Sequence, residues 1–315
     1  KDENIEMGIW SMFENGKYRL GNVQEIAKNF EKFNNDYIVI AAVNADYFYM
    51  RSVDDVPVNA SVIFNNKVLN AKNHDKYQAL KFNSTSTKLE IIKQTKYSET
   101  PILYVYKQGK LIFEQEIYIN DLSKPLTIVS NQETNTGFNI EVSRELIYDN
   151  LFFLEGKITN NITNYCIISN TNLDFDESNE IKIQYKVTDI ESNEMLVGFD
   201  GVILKKGKVL SFNEMRGQSF EHNSVRHPRT AIGIHKSGKL VLAGVDGRQV
   251  NSEGVDNREF AEILRSYGLV DVFNLDGGGS TQIVFRIDDE LEIINKPSEY
   301  PLRPVTNAIL FLRKK

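Results

Sequence analysis

The chain has 315 residues, of which 41% are hydrophobic, 25% charged and 10% aromatic; these fractions are those of an ordinary globular protein and exclude a disordered or collagen-like chain. A net charge of −6 excludes a broad electrostatic grip on nucleic acid, while a local basic pocket stays possible. The single cysteine, Cys166, excludes an intramolecular disulfide framework and a cysteine-built zinc site. No stretch of about 18 apolar residues is present, so no membrane-spanning segment is expected. Lys1–Trp10 holds neither an apolar signal core nor an initiator methionine, as expected of a trimmed or mature chain. Asparagine is so frequent that the sequons at Asn59, Asn83 and Asn161 carry little weight.

In chain order, residues 22–34 place Val23, Ile26, Ala27, Phe30 and Phe33 at helical spacing, with Asn22 as N-cap. The nearly unbroken apolar run Ile38–Val43 reads as a strand covered on both faces, ending in the polar Asn44 and Asp46. From about Ala60 to Lys186, short β-branched and aromatic runs separated by Gly, Asn, Asp and Ser predict antiparallel strands and hairpins. The stretches KKGK and KSG in the last third read as hairpin turns. Residues 257–267 predict a helix with Asp256 as cap, Glu259 closing a capping box and Gly268 as stop. No linker separates these parts. The expectation is one domain over 1–315 of the α+β class, with a mixed β-sheet core, few helices and a β-rich middle region.

Four segments could carry chemistry. The strongest is Asn274-Leu-Asp-Gly-Gly-Gly-Ser-Thr281: an apolar strand delivers Asp276 to its tip, and Gly277, Gly278 and Gly279 can turn backbone N–H groups toward an anion, with Ser280 adding a hydroxyl. The alternative is a flexible hairpin turn. No lysine follows the glycines, so this is not a nucleotide-binding P-loop; no helix opens with spaced glycines, and no Gly-x-Ser-x-Gly elbow occurs. In the second segment, Val245–Arg248, another strand tip supplies Asp246, and Arg248 could bind phosphate or carboxylate bidentately. Its bland alternative is a β-turn with a surface ion pair. The third, Arg226–Thr230, sets Arg229 and Thr230 before a core strand, or is a solvated basic turn. The fourth is Asn44–Phe48, whose Tyr47 and Phe48 read as core. Asp54 and Asp55 read as an exposed loop. The histidines His74, His222, His227 and His235 show no metal-ligand spacing; His235 reads as a surface strand residue, and His227 as a candidate site-lining one.

VNADYF, RHPRTAIG, VDGR followed by SEG and a helix, NLDGGGST and a closing RPVTNAILF occur in this order. The series resembles the phosphodiester glycosidase family, specifically over about 225–311, well at 38–66, and in general layout only between about 70 and 195. Animal members carry extra disulfide-rich regions, which one cysteine forbids, so the resemblance is to a bacterial- or phage-type member.

The resemblance implies hydrolysis of the sugar C1–O bond in a sugar-1-phosphodiester similar to an N-acetylglucosamine-1-phosphodiester, releasing the sugar and a phosphomonoester. Asp276 and then Asp246 are the implied reacting carboxylates. Arg229, Arg248 and the N–H groups of Gly277, Gly278 and Gly279 would stabilise charge on the departing phosphate. Thr230 and Ser280 join the substrate-binding set, and Asn44, Asp46 and Asn274 are assigned to sugar hydroxyl or acetamide contacts. No cofactor is required, although the oxygens of Asn44, Asp46, Asp246 and Asp276 would suit Ca or Mg; a metal-assisted phosphodiesterase is therefore one alternative. The other is a non-catalytic carbohydrate-binding module at the cell surface, using Tyr104, Tyr106 and Tyr118, although strand spacing fits core packing for these three. The expected partner is a phosphodiester-linked glycan or cell-wall polymer and not nucleic acid. The expected location is extracellular, at the cell surface or phage-associated.

Overall fold

The computed structural model describes residues 5–48, 56–130, 137–148, 151–215 and 220–315; Asp54 and Asp55 lie outside them. The described residues form twenty-five strands but only three α-helices, α1 (Val23–Phe33), α2 (Phe220–Ser224) and α3 (Asn257–Ser266). The expected α+β class is therefore corrected: the protein is mostly β. The helical signals were sound, but they belong to two short amphipathic helices laid on sheets, and strands make up most of the other regular structure among the described residues.

Both longer helices form for the reasons visible in their ends. The Asn22 side chain accepts from the Glu25 N–H, and Glu25 returns a bond to the Asn22 N–H. Asp256 and Glu259 repeat the same box at α3. Gly268, at φ 87, ends α3 in the left-handed region. Helix α1 buries Val23, Ile26, Ala27 and Phe30, each large side chain contributing roughly 1.5–3 kcal/mol. Asn29 sits on the same buried face because it is satisfied there: its carbonyl accepts from Trp10 Nε1 at 3.0 Å and from the Phe13 N–H at 3.2 Å.

Four sheets share the chain. In the first, Tyr37–Asn44 lies between Ala308–Lys314 and Ile283–Ile287, antiparallel to both. Its apolar run reflects this central position over α1, which packs on the same sheet. A second five-stranded sheet is centred on Glu194–Phe199, beside Ser61–Ile63 and Gln78–Asn83. A third has Leu269–Asn274 between Gly201–Lys205 and Arg229–His235, with Leu240–Val245 at its edge. The β-rich middle forms a ten-stranded sheet with its own apolar cluster around Leu103, Phe152, Leu154 and Ile181. No helix among the described residues is long and apolar enough to cross a membrane.

Candidate active site

Three central strands, one from each five-stranded sheet, end at the same place. Tyr37–Asn44 runs into Asp46, Glu194–Phe199 into Asp200, and Leu269–Asn274 into Asp276. Backbone bonds lock the tips together: Asp276 N–H donates to Ala45 O at 3.0 Å, Asp200 N–H to Asn274 O at 2.9 Å, and Leu275 N–H to Thr230 O at 2.9 Å. Asn44 is a fully buried clamp within this junction. Its Nδ2 donates to Asp276 O at 2.6 Å, while its Oδ1 accepts from Thr230 Oγ1 at 2.9 Å and from Gln282 N–H at 3.2 Å. Asn44 and Thr230 thus hold the tip of the Asp276 strand, and their polar atoms are spent on one another.

Asp276 keeps partial solvent access, but its carboxyl is embedded among protein atoms. Burial raises it to about 6, against the lowering influence of the Ser280 hydroxyl, Arg303, the Gly277 N–H and Arg248. Asp46 lies behind it and is fully buried. It accepts from Asn307 Nδ2, from Gly198 N–H and from Ser61 Oγ. Burial still dominates those three bonds, and with the nearby Asp276 charge it pushes Asp46 up to about 8. Of the two carboxyls Asp46 is the one held more strongly toward its neutral form, mainly by burial. Gly198 is required for this arrangement, since a Cβ there would collide with Asp46 Oδ1.

The glycine run has a separate reason at each position. Gly278 takes φ 63, and a Cβ on it would come within 3.1 Å of the Arg248 guanidinium; the guanidinium therefore rests directly against the loop. A Cβ on Gly277 would meet Pro228 O at 2.7 Å, and one on Gly279 would strike the Glu299 carboxylate. The expected anion nest is partly occupied from within: Gly277 N–H serves the Asp276 carboxylate, and Gly278 N–H donates to Pro228 O at 2.8 Å.

Two expected site residues are engaged in holding the scaffold. The Asp246 carboxylate accepts from Asn295 Nδ2 at 2.8 Å and from Lys296 N–H at 2.9 Å, fixing the chain after the Glu290–Ile293 strand. The fully buried Arg229 donates to Val255 O, His222 O and Val225 O at 3.2, 2.8 and 2.8 Å, and to His222 Nε2 at 3.2 Å. It fastens α2 to the third sheet. Because an arginine only donates, the neutral His222 ring carries its proton on Nδ1. Burial, then Arg229, His227 and Arg248, lower His222 to about 4, so it is neutral at pH 7. Arg226 is an exposed partner of Glu259 and Glu253.

Asn274 Nδ2 donates to Asp200 Oδ2 at 3.2 Å and to the Tyr47 hydroxyl at 3.4 Å, while its buried Oδ1 has no partner among the described residues. Tyr47 stacks on Tyr77 with ring centroids 5.5 Å apart. Sequence reasoning missed Arg303, Asp200 and Asn307. Arg303 Nη1 approaches Ser280 Oγ at 3.5 Å, and Arg303 donates to Glu299. Asp200 follows an apolar strand as Asp46 and Asp276 do, so the same strand-tip signal could have found it. Among the described residues, no three His, Cys, Asp or Glu side chains gather as a ready metal-ligand set.

The sequence profile of the phosphodiester glycosidase family matches residues 133–312. The chain belongs to that family. The match takes in Arg229, Arg248, Asp276 and Arg303, and leaves Asn44 and Asp46 outside it. Over 59 residues the chain is 44% identical to the SPbeta prophage-derived uncharacterized protein YomE of Bacillus subtilis (strain 168), spanning 19% of this chain and 9% of that protein. Over 61 residues it is 43% identical to the mouse N-acetylglucosamine-1-phosphodiester alpha-N-acetylglucosaminidase, spanning 19% of this chain and 12% of the enzyme. The aligned stretches thus cover about a tenth of these relatives. In structure, the zebrafish N-acetylglucosamine-1-phosphodiester alpha-N-acetylglucosaminidase catalytic domain, auto-inhibited by its pro-peptide, superposes with a TM-score of 0.50 at 14% identity, over 97% of this chain and 72% of that one. That likeness speaks for the fold. Family membership places the chain among phosphodiester glycosidase-type hydrolases.

Proposed function

We propose that this protein hydrolyses the sugar C1–O bond of a sugar-1-phosphodiester, the sugar being N-acetylglucosamine or a close analogue, and releases the free sugar and a phosphomonoester. The observation that carries this reading is the placing of one partly accessible carboxyl, Asp276, between the Arg248 guanidinium, which rests against Gly278, and Arg303, which reaches Ser280. A phosphomonoester is a good leaving group, so breaking the bond needs anion stabilisation more than a strong general acid. Arg248 and Arg303 would meet the charge growing on phosphate. Asp276, ionised above about pH 6, would activate water or stabilise the cationic sugar. Asp46, held toward its neutral form, supports both roles by limiting the second negative charge beside Asp276.

Hydrolysis in ¹⁸O-water tests the bond cleaved. Label in the released sugar is expected; label in the phosphate would replace this reading with P–O cleavage. Asp276→Asn is expected to abolish release while keeping substrate affinity. The reaction so written requires no cofactor, and turnover should survive a chelator. Loss of turnover restored by Ca²⁺ or Mg²⁺ would bring a metal ion into the site.

A further inference from the structure

The ten-stranded sheet carries a groove of about 890 Å³ that shares no residue with the Asp276 cleft. Its floor is a set of cross-strand neighbours. Lys182 lies opposite Glu155, Glu155 opposite Arg144, and in the next row Glu180 lies opposite Tyr106 and Lys157 opposite Glu141. The Asn65 and Asn66 turn forms a wall, and Asn66 O accepts from Lys182 Nζ at 2.9 Å.

Charge along the groove is uneven. Lys157 and Glu141 pair at 3.1 Å near the solvent, and Glu180 is exposed there. At the inner end Glu155 alone serves Lys67 at 3.1 Å and Arg144 at 2.6 Å, with Lys182 beside them. Three cations therefore share one carboxylate where water is scarce. Arg144 Nε and Glu155 Oε2 are each buried without a hydrogen-bond partner among the described residues. Burial and the neighbouring cations pull Lys182 down to about 7, the response of a cation that lacks a counter-charge. Tyr106 lines the same groove, so the strand-spaced tyrosine expected in the core instead offers a ring face and hydroxyl beside the charges.

We propose that this groove is a second binding site, which takes a phosphate-bearing segment of the glycan and holds it apart from the Asp276 cleft. Lys182 and Arg144 supply the donors for the phosphate, and Tyr106 the contact surface for an adjoining sugar. The choice of a phosphate-bearing glycan rests on the proposed function; the affinity for an anion rests on the groove alone.

The test is a calorimetric titration with inorganic phosphate in an Arg248→Ala, Arg303→Ala background, which removes both of the cleft's own proposed anion contacts. Adding Lys182→Met is expected to weaken the remaining phosphate binding at least about tenfold, while Lys182→Arg retains it and melting curves show both variants folded. Equal isotherms with and without Lys182→Met would overturn the proposal. If turnover is found, Lys182→Met and Tyr106→Ala in the otherwise unchanged protein should leave kcat and KM for a single sugar-1-phosphodiester as they were. Both should raise KM for a polymer of such units; unchanged polymer kinetics would likewise overturn the assignment. Absence of turnover on any substrate would count against the proposed reaction and leave the phosphate titration to decide the groove.

Discussion

The strand-tip junction and the groove of the ten-stranded sheet bury opposite kinds of unbalanced charge. At the junction burial is the leading cause, moving Asp46 up to about 8 and Asp276 to about 6. At the inner end of the groove burial acts on a cation instead, and with the neighbouring Lys67 and Arg144 it moves Lys182 down to about 7. The difference teaches that a shifted group marks where burial outweighs the partners at hand, whatever the sign of the charge. At the junction Arg303 and Arg248 act on the partly accessible Asp276 carboxyl. At the groove's inner end Glu155 is the carboxylate that pairs with both Lys67 and Arg144.

The largest effect expected from breaking this comparison is at Asp276. Asp276→Asn should lower kcat by about a thousandfold or more in a folded protein, in proportion to the loss of a reacting carboxylate; persistence of most activity would move the chemistry elsewhere. Arg248→Ala and Arg303→Ala should each cost about a hundredfold in kcat/KM, measured with a substrate whose phosphate leaves poorly. Asp246→Ala leaves Asn295 Nδ2 and Lys296 N–H without their acceptor. It should cost about 1–3 kcal/mol of stability in denaturant melts, with a smaller loss of activity than Asp276→Asn. An equal loss would restore Asp246 to the reacting pair.

The pH dependence is gentler and separates the two acids. Activity should rise as Asp276 ionises near pH 6. Stability should move oppositely: the folded-state values of Asp46 and Asp276 lie above the unfolded value of 3.8. Their contribution is complete below that value and is lost as pH rises through about 6 and then about 8. The slope from one proton is at most about 1.4 kcal/mol per pH unit. Asp46→Asn should flatten the upper part of that decline in thermal melts between pH 6 and 9. No change in slope would show that Asp46 is already ionised.

The ends of α1 and α3 were legible to the residue because a capping box is local: Asn22 with Glu25 and Asp256 with Glu259 need no tertiary information. The class was misread because apolar runs such as Ile38–Val43 look alike in any central strand, and the register that pairs it antiparallel to Ala308–Lys314 spans almost the whole chain. The site was half legible. Apolar strand, Asp and Gly occur in that order at both Asp246 and Asp276, yet one carboxylate is taken by Asn295 and Lys296 while the other faces the arginines. That choice is made by segments some 20 to 50 residues away in sequence. Likewise nothing near Arg229 announces that carbonyls from α2 and Val255 will surround its guanidinium.

The junction of three strand tips also sets an order of events. Residues 44–46, 198–200 and 274–276 come from three different sheets, and backbone bonds join the last of these tips to each of the other two. No fragment of the chain can own the site. During refolding, catalytic competence should therefore be the last signal to return, trailing the recovery of strand structure, which makes enzymatic activity a clock for completion of the entire fold.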